Sequence, residues 1–443
     1  MPDTLRERWR KSPPEGEIPN SKRLKFLTIV CIGLILTGLL VDSPMTILRG
    51  LWKIQTSRAN LLTDYVALGS PGAAFANSGL TTLLSLFVIW RSKVKISGPV
   101  MASVFAVAGF AFFGKNIYNS IPIILGVFLY SQLAGIPFRN VVLSATFGTC
   151  LGPAVSQITF AYGFPLYISI PAGYLLGIFI GVIMQPLASR FVSFHNGFCL
   201  YNIGFTSGII GMFVASFMRM FGLQVETVRI LSYGNNTFMG LTLLVFFSYL
   251  FLFGYWFNDK SMKNYSELLR NSGQSVTDFI SLYGYGISLV NMAFVGMIST
   301  VFVLLLGAHI NGPIIGAIMM VTGFGAFGKH PKNILPIIFG IYLASLLNIY
   351  DPLATGSVIS AIFGTALAPV AGQYGMFAGV LAGFAHMSIV MNIGYLHGGM
   401  NLYNNGFSAG FVAGAFVPVI DVWTNEIRGK IRERIIKSET HRG

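Results

Sequence analysis

The sequence predicts an all-α, polytopic membrane protein built from two homologous repeats. Of its 443 residues, 54% are hydrophobic and only 10% are charged, whereas charged residues make up about 25% of an ordinary globular protein. Apolar runs of spanning length recur along the whole chain, and motifs of the first half return in the second half. We therefore expect about 10–14 transmembrane helices, with re-entrant half-helices among the shorter runs.

The duplication is clearest between residues 96–133 and 310–347. These segments align without a gap at an offset of 214 and share 17 of 38 residues, where unrelated apolar segments would share roughly a tenth to a sixth. Both contain the motif Gly-Phe-x-x-Phe-Gly-Lys. The predicted organisation is a basic tail, two membrane repeats and a second basic tail, at residues 1–23, 24–230, 231–423 and 424–443.

Shorter motifs extend the duplication in both directions, and each motif occurs once in each half. The pairs are Thr63-Asp64 and Thr277-Asp278, Asn77 and Asn291, Phe147-Gly148-Thr149 and Phe363-Gly364-Thr365, and the runs from His195 through Tyr201-Asn202 to Gly208 and from His397 through Tyr403-Asn404 to Gly410. The offset falls from 216 to 202 between the last two pairs, so the first copy carries 14 extra residues before His195.

The candidate spans follow from the lengths of the apolar runs, because a helix needs about 20 apolar residues to cross the hydrocarbon core. The clearest runs are 24–45, 66–90, 141–160, 166–188, 238–257, 280–306, 356–380 and 406–423. Shorter runs fit either tilted spans or half-helices that enter the membrane and turn back. They lie at 98–114, 119–135, 198–218, 312–328, 334–349 and 380–397.

The short segments that begin with Gly98-Pro99 and Gly312-Pro313 are the strongest candidates for a solute site. Proline in the first turn of a helix sacrifices no internal hydrogen bond, so both dipeptides suit a helix start. Seventeen helical residues from there extend about 25 Å, which is short for a span. Paired short segments interrupted by glycine or proline point to a midplane site. The alternative is a glycine-rich packing face followed by an interfacial lysine.

The distribution of charge predicts the orientation. The net charge is +14, but lysine and arginine lie in loops and tails, so the positive-inside rule explains them and a nucleic-acid partner is not expected. Both termini are expected on the cytoplasmic side of the cell membrane. Loop 91–95 holds three basic residues and its counterpart 305–309 holds none, which favours inverted halves. Lys115 and Lys329, present in both copies, count against inversion.

The residues expected to line a solute pathway have polar groups or aromatic rings, or allow the backbone to approach closely, and they occur in both copies. They are Gly98, Pro99, Phe110, Phe113, Lys115, Asn77, Tyr201 and Asn202 in the first copy and Gly312, Pro313, Phe324, Phe327, Lys329, Asn291, Tyr403 and Asn404 in the second. We expect the four phenylalanine rings to narrow a shared passage. The amides of Asn77 and Asn291 can bind either a solute or a neighbouring helix.

Other polar residues are expected to be structural. Asp64 and Asp278 each precede an apolar run as part of a Thr-Asp pair, so we expect them to cap helices. His195 and His397 are expected to pack at an interface, because no cluster with metal-ligand spacing accompanies them. The cysteines show no CxxC spacing, and no catalytic or nucleotide-binding motif stands out. No cofactor, metal or catalytic residue is predicted.

With these motifs, the whole chain resembles a bacterial family of duplicated multi-spanning proteins classed as a domain of unknown function. It also resembles urea transporters in two short motifs per half, Gly-Thr at 148–149 and 364–365 and Tyr-Asn at 201–202 and 403–404. Urea transporters have glycine directly before the Tyr-Asn pair, whereas this chain has Leu200 and Leu402. The resemblance implies a narrow pore along a pseudo-twofold axis, lined by phenylalanine and by hydroxyl, amide and carbonyl oxygens.

These observations favour a channel or facilitator that passes a small polar solute, for example a urea-like one, between the repeats. Proton pumps usually place acids mid-span, and acids are scarce here, but an ion-coupled transporter that binds sodium through carbonyls and hydroxyls is an alternative. Further alternatives are an intramembrane enzyme that acts on a lipid-linked substrate through Asp64, His195 or His397, and a structural subunit. The expected partners are the lipid bilayer and the solute, and the sequence leaves a homo-oligomer open.

Overall fold

The computed structural model describes residues 18–347 and 349–423, and their regular secondary structure is almost entirely helical. Among these residues, eight helical segments are long and apolar enough to cross a bilayer, and three shorter apolar helices accompany them. One of the eight, Thr355–Tyr374, contains a 3-10 turn. The chain is thus an all-α, multi-pass integral membrane protein, which confirms the predicted fold class at that level. Of the predicted basic tails, residues 1–17 and 424–443 lie outside the described residues.

The first half contains two short strands, one after its second helix and one after its last helix. Its elements are α1 (Asn20–Val41), α2 (Pro44–Thr56), β1 (Leu62–Thr63), α3 (Tyr65–Leu68), α4 (Pro71–Arg91), α5 (Gly98–Phe110), α6 (Ile117–Leu133), α7 (Val142–Gly148), α8 (Gly152–Phe160), α9 (Leu166–Phe191), α10 (Asn202–Met220) and β2 (Arg229–Ile230). The strands pair in parallel, with Leu62 opposite Arg229. A 3-10 turn, Thr149–Leu151, joins α7 to α8.

The second half repeats this order. Its elements are α11 (Asn236–Phe257), α12 (Tyr265–Leu268), α13 (Phe279–Tyr283), α14 (Tyr285–Leu306), α15 (Gly312–Gly323), α16 (Pro331–Ser345), α17 (Thr355–Phe363), α18 (Ala368–Tyr374), α19 (Met376–Ile393) and α20 (Asn404–Asp421). A 3-10 turn, Gly364–Leu367, joins α17 to α18. Helix α9 has 26 residues and its counterpart α19 has 18, so most of the 14 extra residues of the first copy lie in this helix.

The outer helices of each half pack through glycines at repeat-related positions. A Cβ atom on Gly38 of α1 would lie 2.6 Å from the carbonyl oxygen of Gly72 in α4. In the second half, a Cβ on Gly254 of α11 would lie 2.8 Å from the carbonyl oxygen of Gly286 in α14. Because apolar surface alone gives little drive for helices to associate in lipid, such close backbone contact is a main source of packing energy. The same contact therefore stabilises both halves.

The Gly-Pro helices α5 and α15 form the centre of the molecule and run antiparallel to each other. The first residue of α5, Gly98, lies against the carbonyl oxygen of Ala326, just beyond the end of α15. Conversely, a Cβ on Gly312 at the start of α15 would lie 2.5 Å from the carbonyl oxygen of Phe112. Midway, a Cβ on Gly316 would lie 2.6 Å from the carbonyl oxygen of Gly109. Every residue of α15, and all of α5 except Pro99, is buried.

A second pair of repeat-related helices, α10 and α20, also meets at the centre. Gly204 lies against Tyr403 while Gly406 lies against Tyr201, and Gly208 lies against Phe407 while Gly410 lies against Phe205. Each contact therefore occurs twice: in one case the glycine belongs to the first half and the aromatic ring to the second, and in the other case the reverse. This reciprocity defines a pseudo-twofold axis that passes between α5 and α15 and between α10 and α20.

We predict that Gly109→Ala destabilises the protein, because its new methyl group would overlap the backbone carbonyl of Gly316. The expected loss is about 1–3 kcal/mol of unfolding free energy, measured as a lower thermal unfolding midpoint of the purified protein in detergent. The matched control is Gly33→Ala in α1, where a Cβ would meet no atom within 4 Å. Equal midpoints for the two variants would contradict the central helix contact.

Candidate functional site at the repeat interface

The two copies of Gly-Phe-x-x-Phe-Gly-Lys form a sharp break between two helices. Helix α5 ends at Phe110, and Gly114 then adopts a φ of 70° before α6 begins. In the second half, Gly328 adopts a φ of 91° between α15 and α16. Residues other than glycine are strained at such angles, which explains the glycine before each lysine. The short Gly-Pro helices therefore end at this motif in both halves.

Four repeat-related asparagines bind the backbone carbonyls that the two breaks leave without helical partners. The side-chain amide of Asn77 donates to the carbonyls of Ala111 at 2.7 Å and Lys115 at 3.0 Å. Its mate Asn291 donates to those of Gly325 at 2.6 Å and Lys329 at 2.7 Å. The second pair, Asn119 and Asn333, donates to the glycine carbonyls of the two breaks at 3.0 Å and 2.9 Å. The structure thus places Asn77 and Asn291 on the backbone of the breaks.

The lysines that end the two motifs are fully buried in the centre of the protein. Lys329 donates from Nζ to the hydroxyl of Tyr201 and, at 2.7 Å, to Oγ1 of Thr365. Lys115 has no hydrogen-bond partner for its Nζ among the described residues, and this atom lies 5.3 Å from the centre of the Phe110 ring. Neither lysine forms an ion pair with a carboxylate in the described part of the chain.

Two tyrosines bring aromatic rings of both halves together beside these lysines. Tyr403, at the start of α20, packs edge-on against Phe110 of the first half, with 4.6 Å between ring centres. Tyr201, at the start of α10, packs in the same way against Phe324 of the second half at 4.7 Å. The tyrosine rings lie 5.5 Å apart. Each lysine-bearing break therefore faces a tyrosine that the opposite half contributes.

The two lysine sites differ in their hydrogen bonds although their residues match. We call the group Lys329, Tyr201 and Thr365 the paired lysine site, because the amine binds both hydroxyls. We call Lys115 and Tyr403, which share the Phe110 ring, the unpaired lysine site. There the amine and the tyrosine hydroxyl are both buried and both lack a partner among the described residues.

The remaining predicted phenylalanines fill the interface between α5 and α15. Phe113 packs against Phe110 with 5.5 Å between ring centres, and Phe327 packs against Phe324 at 5.8 Å. All four rings are buried. The rings predicted to narrow a passage therefore pack against one another within each half.

The asparagines of the two Tyr-Asn pairs join neighbouring helices. Asn202 donates to the carbonyl of Ala188 at 3.0 Å and lies 3.1 Å from Nε2 of His195. Asn404 makes the equivalent bonds to Val390 at 3.2 Å and to His397 at 2.8 Å. These bonds hold the ends of α9 and α19 to the starts of α10 and α20, and so they fix the tyrosines at the interface.

The repeated aspartates cap helices, as predicted, and each caps a helix of the opposite half as well. Asp64 accepts from the backbone N–H of Val66 at 2.8 Å and from that of Gly312 in the second half at 3.1 Å. Asp278 accepts from the N–H of Ile280 at 3.0 Å and from that of Gly98 in the first half at 2.8 Å. The Gly-Pro starts of α5 and α15 therefore bind these carboxylates through their first backbone N–H groups.

Sequence reasoning did not foresee that Lys329 binds Thr365 and the tyrosine of the other half, or that Lys115 and Tyr403 lie against the same Phe110 ring. The available signal was the Gly-Thr pair at 148–149 and 364–365, which recurs in both copies within a run of apolar residues. In the structure these pairs lie at the junctions between α7 and α8 and between α17 and α18. A threonine at a helix break within an apolar run can thus indicate a buried polar site.

We predict that Asp278→Ala lowers the unfolding free energy by about 0.5–2 kcal/mol, because α5 and α13 lose a shared cap. The measurement is the thermal unfolding midpoint in detergent. Asp351→Ala is the matched control, since this carboxylate accepts from the N–H of Leu353 within its own exposed turn. If both variants unfold at the same temperature, the cap between the halves contributes nothing measurable.

Comparison with known proteins identifies a family but no characterised relative. A family model described as "Protein of unknown function (DUF1576)" matches residues 43–220 and 257–422, which fall in the two repeats. No curated protein and no solved structure gives a significant match. Since the matched residues make up most of the chain, the protein belongs to this family of duplicated membrane proteins, DUF1576.

Proposed function

We propose that this protein is a membrane transporter of the facilitator type, which passes a small polar solute between its two repeats. The observation that carries the proposal is the position of two buried lysines beside the tyrosines at the repeat interface. Lys329 binds Tyr201, and Lys115 lies against the same Phe110 ring as Tyr403. Polar and ionisable groups are costly in the membrane interior and mark solute or ion pathways there. Both halves supply the same groups to this point, as in transporters built from internal repeats.

The contacts of the candidate catalytic residues disfavour an intramembrane enzyme. Asp64 is engaged by backbone N–H groups and by the N–H and hydroxyl of Ser232. His195 and His397 bind Asn202 and Asn404 at helix junctions. A general base or nucleophile must face its substrate, whereas Asp64 is engaged by backbone and serine groups. The second ring nitrogen of each histidine, Nδ1, has no partner among the described residues but is buried within the protein.

The halves are proposed to have opposite orientations in the bilayer. Support comes from α5 and α15, which occupy equivalent places in the two repeats and run antiparallel. The charge difference between loops 91–95 and 305–309 points the same way. In an inverted pair, a small rocking of one repeat against the other would expose the centre to either side of the membrane in turn.

A facilitator that changes conformation fits the packed centre better than a permanently open channel, because the rings of Phe110, Phe113, Phe324 and Phe327 fill it. The resemblance to urea transporters makes a urea-like solute one candidate, and coupling to an ion is an alternative.

The first functional prediction concerns topology. A reporter fused at Lys93 should lie in the cytoplasm, and one fused at Gly307 should lie outside, because the two loops occupy equivalent places in inverted repeats. Cysteine labelling of intact cells at the same positions provides an independent measurement. Detection of both positions on one side of the membrane would rule out inversion.

The second functional prediction concerns flux through purified protein in liposomes. Solute-driven swelling should exceed that of empty liposomes for at least one small polar solute. Phe113→Ala and Phe327→Ala should raise the permeability of a wide solute relative to a narrow one, because removal of a ring widens the passage. The lipid-facing variant Phe213→Ala is the control, since this side chain is 58% exposed. A lower melting temperature with an unchanged permeability ratio would show that the rings serve packing alone.

A further inference from the structure

The two lysine sites offer an internal comparison, because the repeat gives them the same residues. At the paired lysine site the amine of Lys329 is satisfied by two hydroxyls. At the unpaired lysine site neither Nζ of Lys115 nor the hydroxyl of Tyr403 has a partner among the described residues. Buried polar side chains in native proteins are nearly always hydrogen-bonded. Two unsatisfied groups beside one ring therefore indicate a ligand that binds to both.

The chemistry of these groups selects an anion. An ammonium group only donates hydrogen bonds, and a tyrosine hydroxyl donates as readily as it accepts. A ligand that accepts from both and carries negative charge would compensate the ammonium form of Lys115, which has no carboxylate partner among the described residues. A cation would be repelled, and a neutral amide such as urea would leave the charge of the ammonium without compensation.

The surroundings limit the size and charge of that anion. The ring of Phe363 lies 6.0 Å from that of Phe110, and the ring of Phe147 lies 6.3 Å from that of Tyr403. The amine of Lys329, on the far side of the two tyrosine rings, is already engaged by Tyr201 and Thr365. A single ammonium group among aromatic rings suits a small anion with one negative charge better than it suits a phosphate dianion.

We propose that the unpaired lysine site binds a small monovalent anion, which accepts hydrogen bonds from Lys115 Nζ and the Tyr403 hydroxyl. The paired lysine site then shows how the protein satisfies the same amine when no anion is bound, through the hydroxyls of Tyr201 and Thr365. This inference rests on the proposed function in one respect: that the bound anion is either the transported solute or an ion that must bind together with it. Binding itself follows from the site.

The test is anion-dependent thermal stabilisation of the full-length protein in detergent, with acetate, chloride and nitrate as probes and with urea and the bulky anion gluconate as comparisons. We expect saturable stabilisation by at least one small anion and none by urea, because a ligand that binds only the folded state raises the unfolding midpoint. Lys115→Met should weaken the apparent affinity at least tenfold, and Lys115→Arg should retain part of it.

Two further variants control for general effects of charge and packing. Lys53→Met, on the exposed face of α2, should leave the titration unchanged. Lys329→Met should keep a saturable response, because the unpaired site remains. Lys115→Met removes an unpaired buried amine, so the variant should fold with an unfolding midpoint no lower than that of the wild type without anion.

Three outcomes would overturn the inference: no response to any small anion, an equal response in Lys115→Met, or stabilisation by urea alone. The liposome experiment separates this failure from failure of the proposed function. Flux of a neutral solute without anion binding would refute the anion site and leave transport intact. Saturable, Lys115-dependent binding without flux of any solute would refute transport and leave the site.

Discussion

The structure depends on the rule that backbone groups inside a bilayer must find partners within the protein. The motif Gly-Phe-x-x-Phe-Gly-Lys interrupts two central helices and frees carbonyls at a depth where water is scarce. Asn77 and Asn119 bind these carbonyls in the first half, and Asn291 and Asn333 do so in the second. Because the breaks are held in this way, each lysine is fixed beside the tyrosines.

Close packing between the halves follows from small residues at the central crossing. Gly109 and Gly316 allow the backbones of α5 and α15 to touch, and the aspartates at the far ends bind the first N–H groups of the opposite helix. The ends differ in burial, since Asp64 is buried and also binds Ser232 while Asp278 is half-buried. The protein thus combines a symmetric framework with unequal contacts at the two ends of its central helix pair.

Much of the fold follows from the sequence, because apolar run length, Gly-Pro helix starts and the repeated motifs are local properties. Helix capping by Asp64 and Asp278 was predictable for the same reason. The partners across the interface were not, since Gly312 lies 248 residues from Asp64 and only tertiary packing brings them together. Asn77 was expected to bind a solute or a neighbouring helix. Its actual acceptors are the backbone carbonyls of Ala111 and Lys115, which are available because the helix ends there. Which of the two lysines lacks a partner could not be predicted, because their motifs are the same.

The exchange of caps and tyrosines between the halves bears on how such a protein could arise. A single repeat would leave its aspartate without the second N–H group and its lysine without the tyrosine, so its polar groups would remain unsatisfied in lipid. Two copies that insert in opposite directions would satisfy each other as an antiparallel homodimer. Gene fusion of such a dimer would preserve every reciprocal contact and then allow the two lysine sites to diverge, a freedom that identical subunits do not have.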